Sequence, residues 1–284
     1  MAAGPRVTQD TNERFERRFG GLRRLYGVEG AQRIFDAHVV VVGIGGVGSW
    51  ALEALARSGV RRLTLIDLDH VSESNINRQI HALEPTLGQA KAEAMRDRIA
   101  LFHPDCVVDV VDDFVTPDNW PALLEAVSGL EVLPSAVVDA CDQVRAKTTL
   151  AAWAAAHSVP FVTVGAAGGK RLAHAVDVAD LAEVTHDPLL AQLRYRLRKH
   201  HGGARVGRMG VGCVFSRETV AAPDASCNID GVDGSLNCHG YGSVVSVTAA
   251  FGFCAAGWVM NNLSKDARAI STRASKVTKK EAII

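Results

Sequence analysis

The stretch His38-Val-Val-Val-Val-Gly-Ile-Gly-Gly-Val-Gly48 decides the fold of this chain. Its first half is a run of β-branched residues, which favours a buried strand in a parallel sheet. Its second half predicts a tight turn, because it contains four closely spaced glycines, Gly43, Gly45, Gly46 and Gly48. Apolar residues then recur at helical spacing until Gly59, a residue type that commonly ends helices. A strand, a glycine turn and a helix N-terminus together predict a binding site for a phosphate group.

A second apolar run, Arg62-Leu-Thr-Leu-Ile-Asp67, predicts the next strand of the sheet. It ends in Asp67, and Asp69 follows directly afterwards. In a βαβ unit that binds nucleotides, an acid at the end of the second strand hydrogen-bonds the ribose hydroxyl groups. The glycine turn and these acids therefore predict a nucleotide site, with both aspartates as candidate ligands.

The segment beyond the second strand adds amide and cationic side chains, namely Asn75, Asn77, Arg78, Gln79 and Lys91. Arg and Lys can neutralise the β and γ phosphates of a triphosphate, while the amides of the glycine turn hold the α phosphate. A dehydrogenase that binds a diphosphate cofactor has no evident need for these cations. The alternative is that Arg78 and Lys91 are solvated surface residues, as these types usually are. We favour the triphosphate because both cations flank the end of one predicted strand.

The fourth predicted strand ends in Asp139-Ala-Cys-Asp142, at the edge where an open α/β sheet binds its ligand. We expect Asp142 to share a magnesium ion with the triphosphate. For Asp139, nucleotide binding and a structural role as acceptor for backbone amides of the turn are both open. The acid pair Asp112 and Asp113 is more typical of a solvated loop or a cap, and we interpret it in that way.

The second half of the chain carries a helix that begins near Pro188 and ends in a cationic cluster at His201, which Arg205 and Arg208 extend. The helix dipole alone favours basic residues at a helix C-terminus. The density of charge nevertheless makes this segment our first candidate for contact with RNA phosphates. The apolar segment 243–260 is close to the lower limit for a membrane span, but its polar and glycine residues favour a buried helix in the core or a dimer interface.

The composition fits one large folded unit. With 284 residues, 48% of them apolar, the chain can bury a single core, and no linker rich in Pro, Gly or Ser divides it. The formal net charge is +0, so a nucleic-acid partner would need a local basic patch. Six cysteines without a CxxC pair, and no secretory signal, predict reduced thiols in a cytoplasmic protein. We expect disorder over 1–12, one domain over 13–263 and a basic tail over 264–284.

In this order and spacing, the motifs resemble the ubiquitin-activating-enzyme-like adenylating family, which includes the activators of ThiS and MoaD. The resemblance runs from about Arg14 to Asn261 and rests on the glycine turn, Asp67-Leu-Asp69, Ser74-Asn-Ile-Asn-Arg-Gln79, Lys91 and Asp139-Ala-Cys-Asp142. It implies ATP-dependent adenylation of a carboxylate on a Rossmann-like, doubly wound, mainly parallel sheet with a C-terminal α+β extension. It further implies a nucleotide core over 38–165 and a substrate and dimer portion over 166–263.

The same resemblance implies a homodimer in which an N-terminal arginine of one subunit reaches the ATP of the other. Arg17 and Arg18 both fit, and Arg18 is our candidate. Activators of sulfur-carrier proteins usually hold a structural zinc ion with two CxxC pairs, and because this chain has none we expect no zinc. In this departure, and in motifs such as Gly212-Cys-Val-Phe-Ser216, the chain is similar to a branch of the family that acts on tRNA. That branch uses ATP to cyclise the threonylcarbamoyl group on adenosine 37.

The resemblance to this branch also places Cys238 in a crossover loop near the active site. A thiolate there can attack an acyl adenylate, and the adjacent His239 can lower the pKa of the thiol. Intramolecular attack on the adenylate needs no covalent enzyme intermediate, however, so Cys238 can equally be a spectator. Both interpretations stay open.

Three other functions are compatible with the sequence. The first is adenylation of the C-terminus of a ubiquitin-like sulfur carrier. The second is an NAD-linked oxidoreductase, which would be indifferent to an Arg78→Ala change, and the third is a non-catalytic scaffold for sulfur relay. A cysteine desulfurase with its sulfur acceptor is a further candidate partner pair, and we expect no membrane association.

Overall fold

The computed structural model of the protein describes residues 9–128, 133–224 and 241–265. Within these ranges the chain forms one seven-stranded sheet, made of β1 (His38–Val42), β2 (Arg62–Ile66), β3 (Val107–Val111), β4 (Ala136–Asp139), β5 (Phe161–Val164), β6 (Val176–Asp180) and β7 (Gly212–Ser216). The helices in the same ranges are α1 (Gln9–Phe19), α2 (Leu22–Phe35), α3 (Gly48–Arg57), α4 (Lys91–Ala100), α5 (Ala122–Ser128), α6 (Val144–Ala156), α7 (Pro188–His200) and α8 (Val245–Leu263). Helix α2 is interrupted at Gly27, which has non-helical dihedral angles.

The strands follow the order β3-β2-β1-β4-β5-β7-β6. All neighbouring pairs are parallel except β6 and β7, which are antiparallel. The strand numbers rise in opposite directions on the two sides of β1. Strand β1 pairs with β2 through Val40 and Thr64 and with β4 through Val40 and Val137. This is the doubly wound, mainly parallel sheet that the sequence predicts. Its crevice opens between the carboxyl ends of β1 and β4, where such sheets bind ligands.

Helices cover both faces of the sheet, which explains why β1 is buried along its whole length. Val39 and Val41 pack into the layer that contains α3, α4 and α8. Val40 and Val42 point the other way, into the layer that contains α5, α6 and α7. A strand that is buried on both faces needs an uninterrupted apolar sequence, and the four valines supply it.

Several predicted boundaries differ from those observed. Helix α1 begins at Gln9, inside the segment 1–12 that we expected to be disordered, and residues 1–8 lie outside the described ranges. Strand β4 ends at Asp139, so Asp142 lies in the following loop and not on the strand. The apolar segment 243–260 forms most of α8, which packs along α3. In the described part of the chain, no helix is long and apolar enough to cross a membrane.

The contact between α3 and α8 depends on a small residue at position 252. A Cβ atom on Gly252 would lie 2.6 Å from the carbonyl oxygen of Val47 and 2.7 Å from the Cβ of Trp50. Gly257 lies on the same helix, but a Cβ atom there would meet nothing within 4 Å. The two glycines therefore form a matched pair for a packing experiment.

We expect Gly252→Ala to lower the free energy of unfolding by about 1–3 kcal/mol, because the methyl group forces α8 away from α3. Gly257→Ala should raise it by about 0.5–1 kcal/mol through helix propensity alone. Urea denaturation of both variants measures these changes. Equal effects of the two substitutions would contradict the described packing of α8.

Candidate functional site

The turn between β1 and α3 requires glycine at two positions. Gly43 has a φ of +86°, and a Cβ atom there would lie 2.8 Å from the backbone nitrogen of Cys141. A Cβ atom on Gly48 would collide with the carbonyl oxygen of Gly43. The backbone of β1 can therefore pass directly into α3 and lie against the β4 loop, which brings its amide groups to the edge of the crevice.

The carboxylate of Asp67 fixes this turn to the end of β2. One of its oxygens accepts a hydrogen bond from the backbone N–H of Ile44, and the other accepts one from the backbone N–H of Asp69 at 2.8 Å. Burial raises the pKa of Asp67, while the nearby ammonium of Lys91 opposes that rise. Each carboxylate oxygen can accept a second hydrogen bond, so Asp67 keeps capacity for a ligand hydroxyl group.

Arg78 is a buried cation held by neutral partners. Its guanidinium Nη1 donates to the carbonyl oxygen of Ser74 at 2.6 Å and to Oδ1 of Asn77 at 2.9 Å. Asn77 in turn donates from Nδ2 to the carbonyl oxygen of Ser243 at 3.0 Å. No carboxylate in the described ranges forms an ion pair with Arg78. Its charge therefore remains available to an anionic ligand.

Lys91 is the first residue of α4 and supplies the second cation. Its Nζ lies 2.7 Å from Oδ2 of Asp69, and its backbone N–H donates to the carbonyl oxygen of Asp69 at 2.9 Å. The Lys91 side chain is only 9% exposed, whereas that of Asp69 is 55% exposed. Both residues line the crevice, and the ammonium group lies at its buried end.

These residues line one cavity at the carboxyl ends of the strands. Of our predicted site residues, the cavity is lined by Gly43, Gly45, Gly46, Asp67, Asp69, Arg78, Gln79, Lys91 and Asp142. The buried Oε1 atom of Gln79 has no hydrogen-bond partner among the described residues. A Cβ atom on Gly45 would meet only Nε2 of Gln79 within 4 Å. The open glycine backbone and the two cations suit the phosphates of a nucleoside triphosphate, and the unpaired amide oxygen of Gln79 suits a hydrogen-bond donor on the same ligand.

Asp139 lies behind the cavity lining and has a structural environment. Its carboxylate is 3.1 Å from Nζ of Lys147, and neither side chain is exposed. Thr163 donates to Asp139 at 2.6 Å, and the backbone N–H of Cys141 donates to its other oxygen at 3.2 Å. Burial lowers the pKa of Lys147, but Asp139 and other nearby groups more than offset this, so the pKa lies above its ordinary value. Of the two roles left open for Asp139, the geometry favours the structural one.

Three further predicted ligands also lie outside the cavity lining. Gly48 shapes the turn from within α3, and Asn77 orients Arg78. Oδ1 of Asn75 accepts from the backbone N–H of Ser72 at 3.1 Å and caps the short 3₁₀ turn Glu73–Asn75. These residues therefore support the residues of the lining without belonging to it.

The N-terminal arginines lie away from the cavity of their own chain. Arg17 pairs with Glu13 at 3.8 Å on the exposed side of α1. Nη1 of Arg18 donates to the carbonyl oxygen of Phe102 at 3.2 Å. Cys238, our candidate nucleophile, lies outside the described residues. The described cysteines, which are Cys106, Cys141, Cys213 and Cys254, are all free thiols.

Some residues that complete the cavity wall are not indicated by the sequence as ligands. Thr248 on α8 and Asp113 with Phe114 after β3 line it, although we interpreted Asp113 as part of a solvated loop or a cap. Oδ1 of Asp113 does accept from the backbone N–H of Phe114 at 2.7 Å. Only the chain fold brings α8 to the crevice, so no local pattern indicates Thr248.

Asp187 is a further residue of this region that we did not predict, although a local sequence pattern indicates its role as a helix cap. Its carboxylate accepts hydrogen bonds from the backbone N–H groups of Leu190 and Ala166, both at 2.9 Å. It therefore caps α7 and ties that helix to the 165–167 loop of the cavity wall. An aspartate directly before a proline at a helix start is a typical N-cap.

The fold and the site together define a doubly wound α/β protein of the nucleotide-binding class, whose crevice is lined by two cations. The chain belongs to the ThiF family, whose profile matches residues 19–281.

The relatives that it resembles include tRNA-modifying enzymes. The chain is 45% identical over 253 residues to the tRNA threonylcarbamoyladenosine dehydratase of Escherichia coli (strain K12). The aligned region covers 86% of this chain and 92% of that protein. The crystal structure of the E. coli enzyme, TcdA, in complex with ATP matches with a TM-score of 0.78 at 42% identity, covering 94% of this chain and 98% of that chain. The same enzyme in complex with AMP gives a TM-score of 0.76 at 43% identity, with 92% and 98% covered.

We expect Arg78→Ala and Lys91→Ala each to weaken ATP binding by about tenfold or more, because each removes a buried cation from the cavity wall. Arg96→Ala is the control, since Arg96 lies on α4 with Lys91 but its side chain is 42% exposed and pairs with surface acids. That change should leave the affinity within about twofold. Equilibrium binding of ATP measures all three, and equal affinities across the series would contradict the site.

We expect Lys147→Met to lower the free energy of unfolding by about 3–5 kcal/mol, because it leaves the buried carboxylate of Asp139 without its counter-charge. Arg217→Met breaks an exposed ion pair with Asp177 and should cost at most about 1 kcal/mol. Chemical denaturation at neutral pH compares the two variants. A loss for Lys147→Met as small as that for Arg217→Met would refute the buried ion pair.

Proposed function

We propose that this protein uses ATP to dehydrate N6-threonylcarbamoyladenosine at position 37 of tRNA, closing its threonylcarbamoyl group into a ring. The observation that carries the proposal is a cavity that combines the glycine turn with Arg78 and Lys91. That cavity occurs in a chain 45% identical to an enzyme named for this reaction. The nucleotide binds in the crevice, and the reacting carboxylate of the tRNA base enters from its open side.

Each part of the nucleotide has a matching group in the cavity. The backbone amides of the glycine turn bind the α phosphate, and Arg78 and Lys91 bind the β and γ phosphates. Asp67 accepts hydrogen bonds from the ribose hydroxyl groups through its remaining lone pairs. Gln79 offers its side-chain amide to the nucleotide as a hydrogen-bonding group, while Asn77 keeps the guanidinium of Arg78 oriented.

A magnesium ion is proposed at Asp142. No group of three or more His, Cys, Asp or Glu side chains in the described ranges could hold a metal ion by itself. Magnesium commonly binds through one or two carboxylates together with phosphate oxygens, so a single carboxylate suffices. Asp142 is exposed and lines the cavity, which suits this role. When bound, the ion supplies positive charge that stabilises the leaving pyrophosphate.

The chemistry proceeds in two displacements. The substrate carboxylate attacks the α phosphorus of ATP, forming an acyl adenylate and releasing pyrophosphate. A nitrogen of the same threonylcarbamoyl group then attacks the acyl carbon, displaces AMP and loses its proton. The cation-lined cavity stabilises negative charge on the phosphates in the first step. One water is lost from the substrate overall, and the scheme needs no covalent intermediate on Cys238.

A homodimer is part of this proposal, with Arg18, or its neighbour Arg17, reaching the ATP of the partner subunit. In support, α1 is basic in its last turn, and the side chain of Arg17 there is 66% exposed. A cation supplied in trans would make the turnover depend on dimerisation. The reaction involves no sulfur transfer, so a cysteine desulfurase and its acceptor would be binding partners and not reactants.

The second candidate is adenylation of the C-terminus of a ubiquitin-like sulfur carrier. It would use the same ATP cavity and the same first displacement, so the cavity alone does not separate the two. The identity of 45% over 86% of the chain to a tRNA threonylcarbamoyladenosine dehydratase favours the tRNA substrate.

The test is mass analysis of tRNA nucleosides after incubation of the protein with ATP and tRNA that carries N6-threonylcarbamoyladenosine. We expect this nucleoside to lose one water, and only when ATP is present. Arg78→Ala serves as the inactive control, and Arg96→Ala as the active one. An unchanged nucleoside, together with adenylation of an added sulfur-carrier protein, would replace the proposal by the second candidate.

A further inference from the structure

The segment from Pro188 to Arg217 has an unusual charge content. It contains no Asp or Glu and seven cations, which are Arg194, Arg196, Arg198, Lys199, Arg205, Arg208 and Arg217. The whole chain, in contrast, has 31 basic and 31 acidic residues. The helix dipole places only about half a negative charge at the end of α7, so it cannot account for this excess.

Some of these cations have structural partners. Arg194 donates from Nη1 to the carbonyl oxygens of Leu181 and Val184, both at 2.9 Å, which fixes α7 to the preceding loop. Arg198 donates to the carbonyl oxygen of Ala204 at 3.0 Å and so closes the turn after the helix. These hydrogen bonds hold the two guanidinium groups against the backbone of their own chain.

Other cations are free to bind a partner. Among the described residues, Arg196 and Arg205 have no hydrogen bond or ion pair, and Arg205 is exposed. The ammonium of Lys199 lies 5.5 Å from the ring centre of Tyr195, and that tyrosine is 61% exposed. We call Tyr195, Arg196, Lys199 and Arg205 the α7 basic surface. It offers unpaired cations beside an exposed aromatic ring.

The α7 basic surface is rigidly connected to the ATP cavity. Leu189, in the first turn of α7, lines the cavity, and the Asp187 cap holds the cavity loop through Ala166. Ten residues of helix separate Leu189 from Lys199, which corresponds to about 15 Å. A polynucleotide with one base at the cavity can therefore extend its backbone along α7 to these cations.

We propose that the α7 basic surface binds the phosphodiester backbone of the RNA beside the target base. This inference rests on the proposed function for the identity of the RNA. Arginine and lysine neutralise phosphates, and an exposed tyrosine can stack on an unpaired base of a loop. An acidic protein would need the cations but would gain less from the exposed ring, so RNA is the favoured partner.

The test compares two double variants with the same change in net charge. Arg196→Glu with Lys199→Glu reverses the α7 basic surface. Arg24→Glu with Arg96→Glu reverses an exposed cation on α2 and a partly exposed one on α4, both outside the cavity lining. Binding of tRNA is measured by fluorescence anisotropy over a series of salt concentrations, and binding of ATP is measured in parallel.

We expect the α7 variant to bind tRNA about tenfold or more weakly, with the slope of log K against log salt reduced by about 2. Its ATP affinity and thermal midpoint should match those of the unmodified protein, and its KM for tRNA should rise while its KM for ATP does not. Tyr195→Phe should retain tRNA binding, whereas Tyr195→Ala should weaken it.

Equal loss of tRNA binding in both double variants would show that net charge alone causes the loss. It would overturn the proposal that the α7 basic surface binds RNA. Unchanged tRNA binding in the α7 variant would overturn it as well. If the unmodified protein binds tRNA through α7 but dehydrates no nucleoside, the proposed function fails and the surface stands. If the unmodified protein dehydrates the nucleoside and the α7 variant has an unchanged KM for tRNA, the proposed function stands and the proposed surface fails.

Discussion

The hydrogen bond from the backbone N–H of Ile44 to the carboxylate of Asp67 is the contact on which the site depends. It fastens the turn after β1 to the end of β2 at the point where the strand order reverses. The turn can approach so closely only because Gly43 and Gly48 carry no Cβ atom. As a result, the glycine turn lines the crevice together with Asp67 and Asp69 at the end of β2.

The electrostatics of the crevice follow from how its cations are held. Arg78 is oriented by a carbonyl and an amide oxygen, so its charge is positioned without being neutralised. Lys91 has a carboxylate partner, Asp69, but that partner is solvated. Deeper in the fold, Lys147 and Asp139 compensate each other fully and leave no net charge. The protein therefore separates structural charge, which is paired and buried, from charge that faces the crevice.

The parts of the site that the sequence predicts are those encoded by adjacent residues. A glycine turn follows a valine run, and Arg78 lies in the segment that follows β2, so local patterns indicate both. Asn75 was a plausible ligand by type, but its neighbour Ser72 takes its oxygen for a turn. Thr248 reaches the cavity, and Asp187 reaches a loop of the cavity wall, only through the packing of α8 and α7, which lie far along the chain. Periodicity within one helix cannot specify which neighbour that helix will contact.

In the proposed reaction, the cavity activates a carboxylate by transferring AMP to it. The most direct measurement is the nucleotide product formed for each dehydrated tRNA nucleoside under single-turnover conditions. Transfer to the α phosphate predicts one AMP and one pyrophosphate for each nucleoside that loses water. Formation of ADP and inorganic phosphate in that ratio would mean that the γ phosphate is the one attacked, and would contradict the assignment of the glycine turn to the α phosphate.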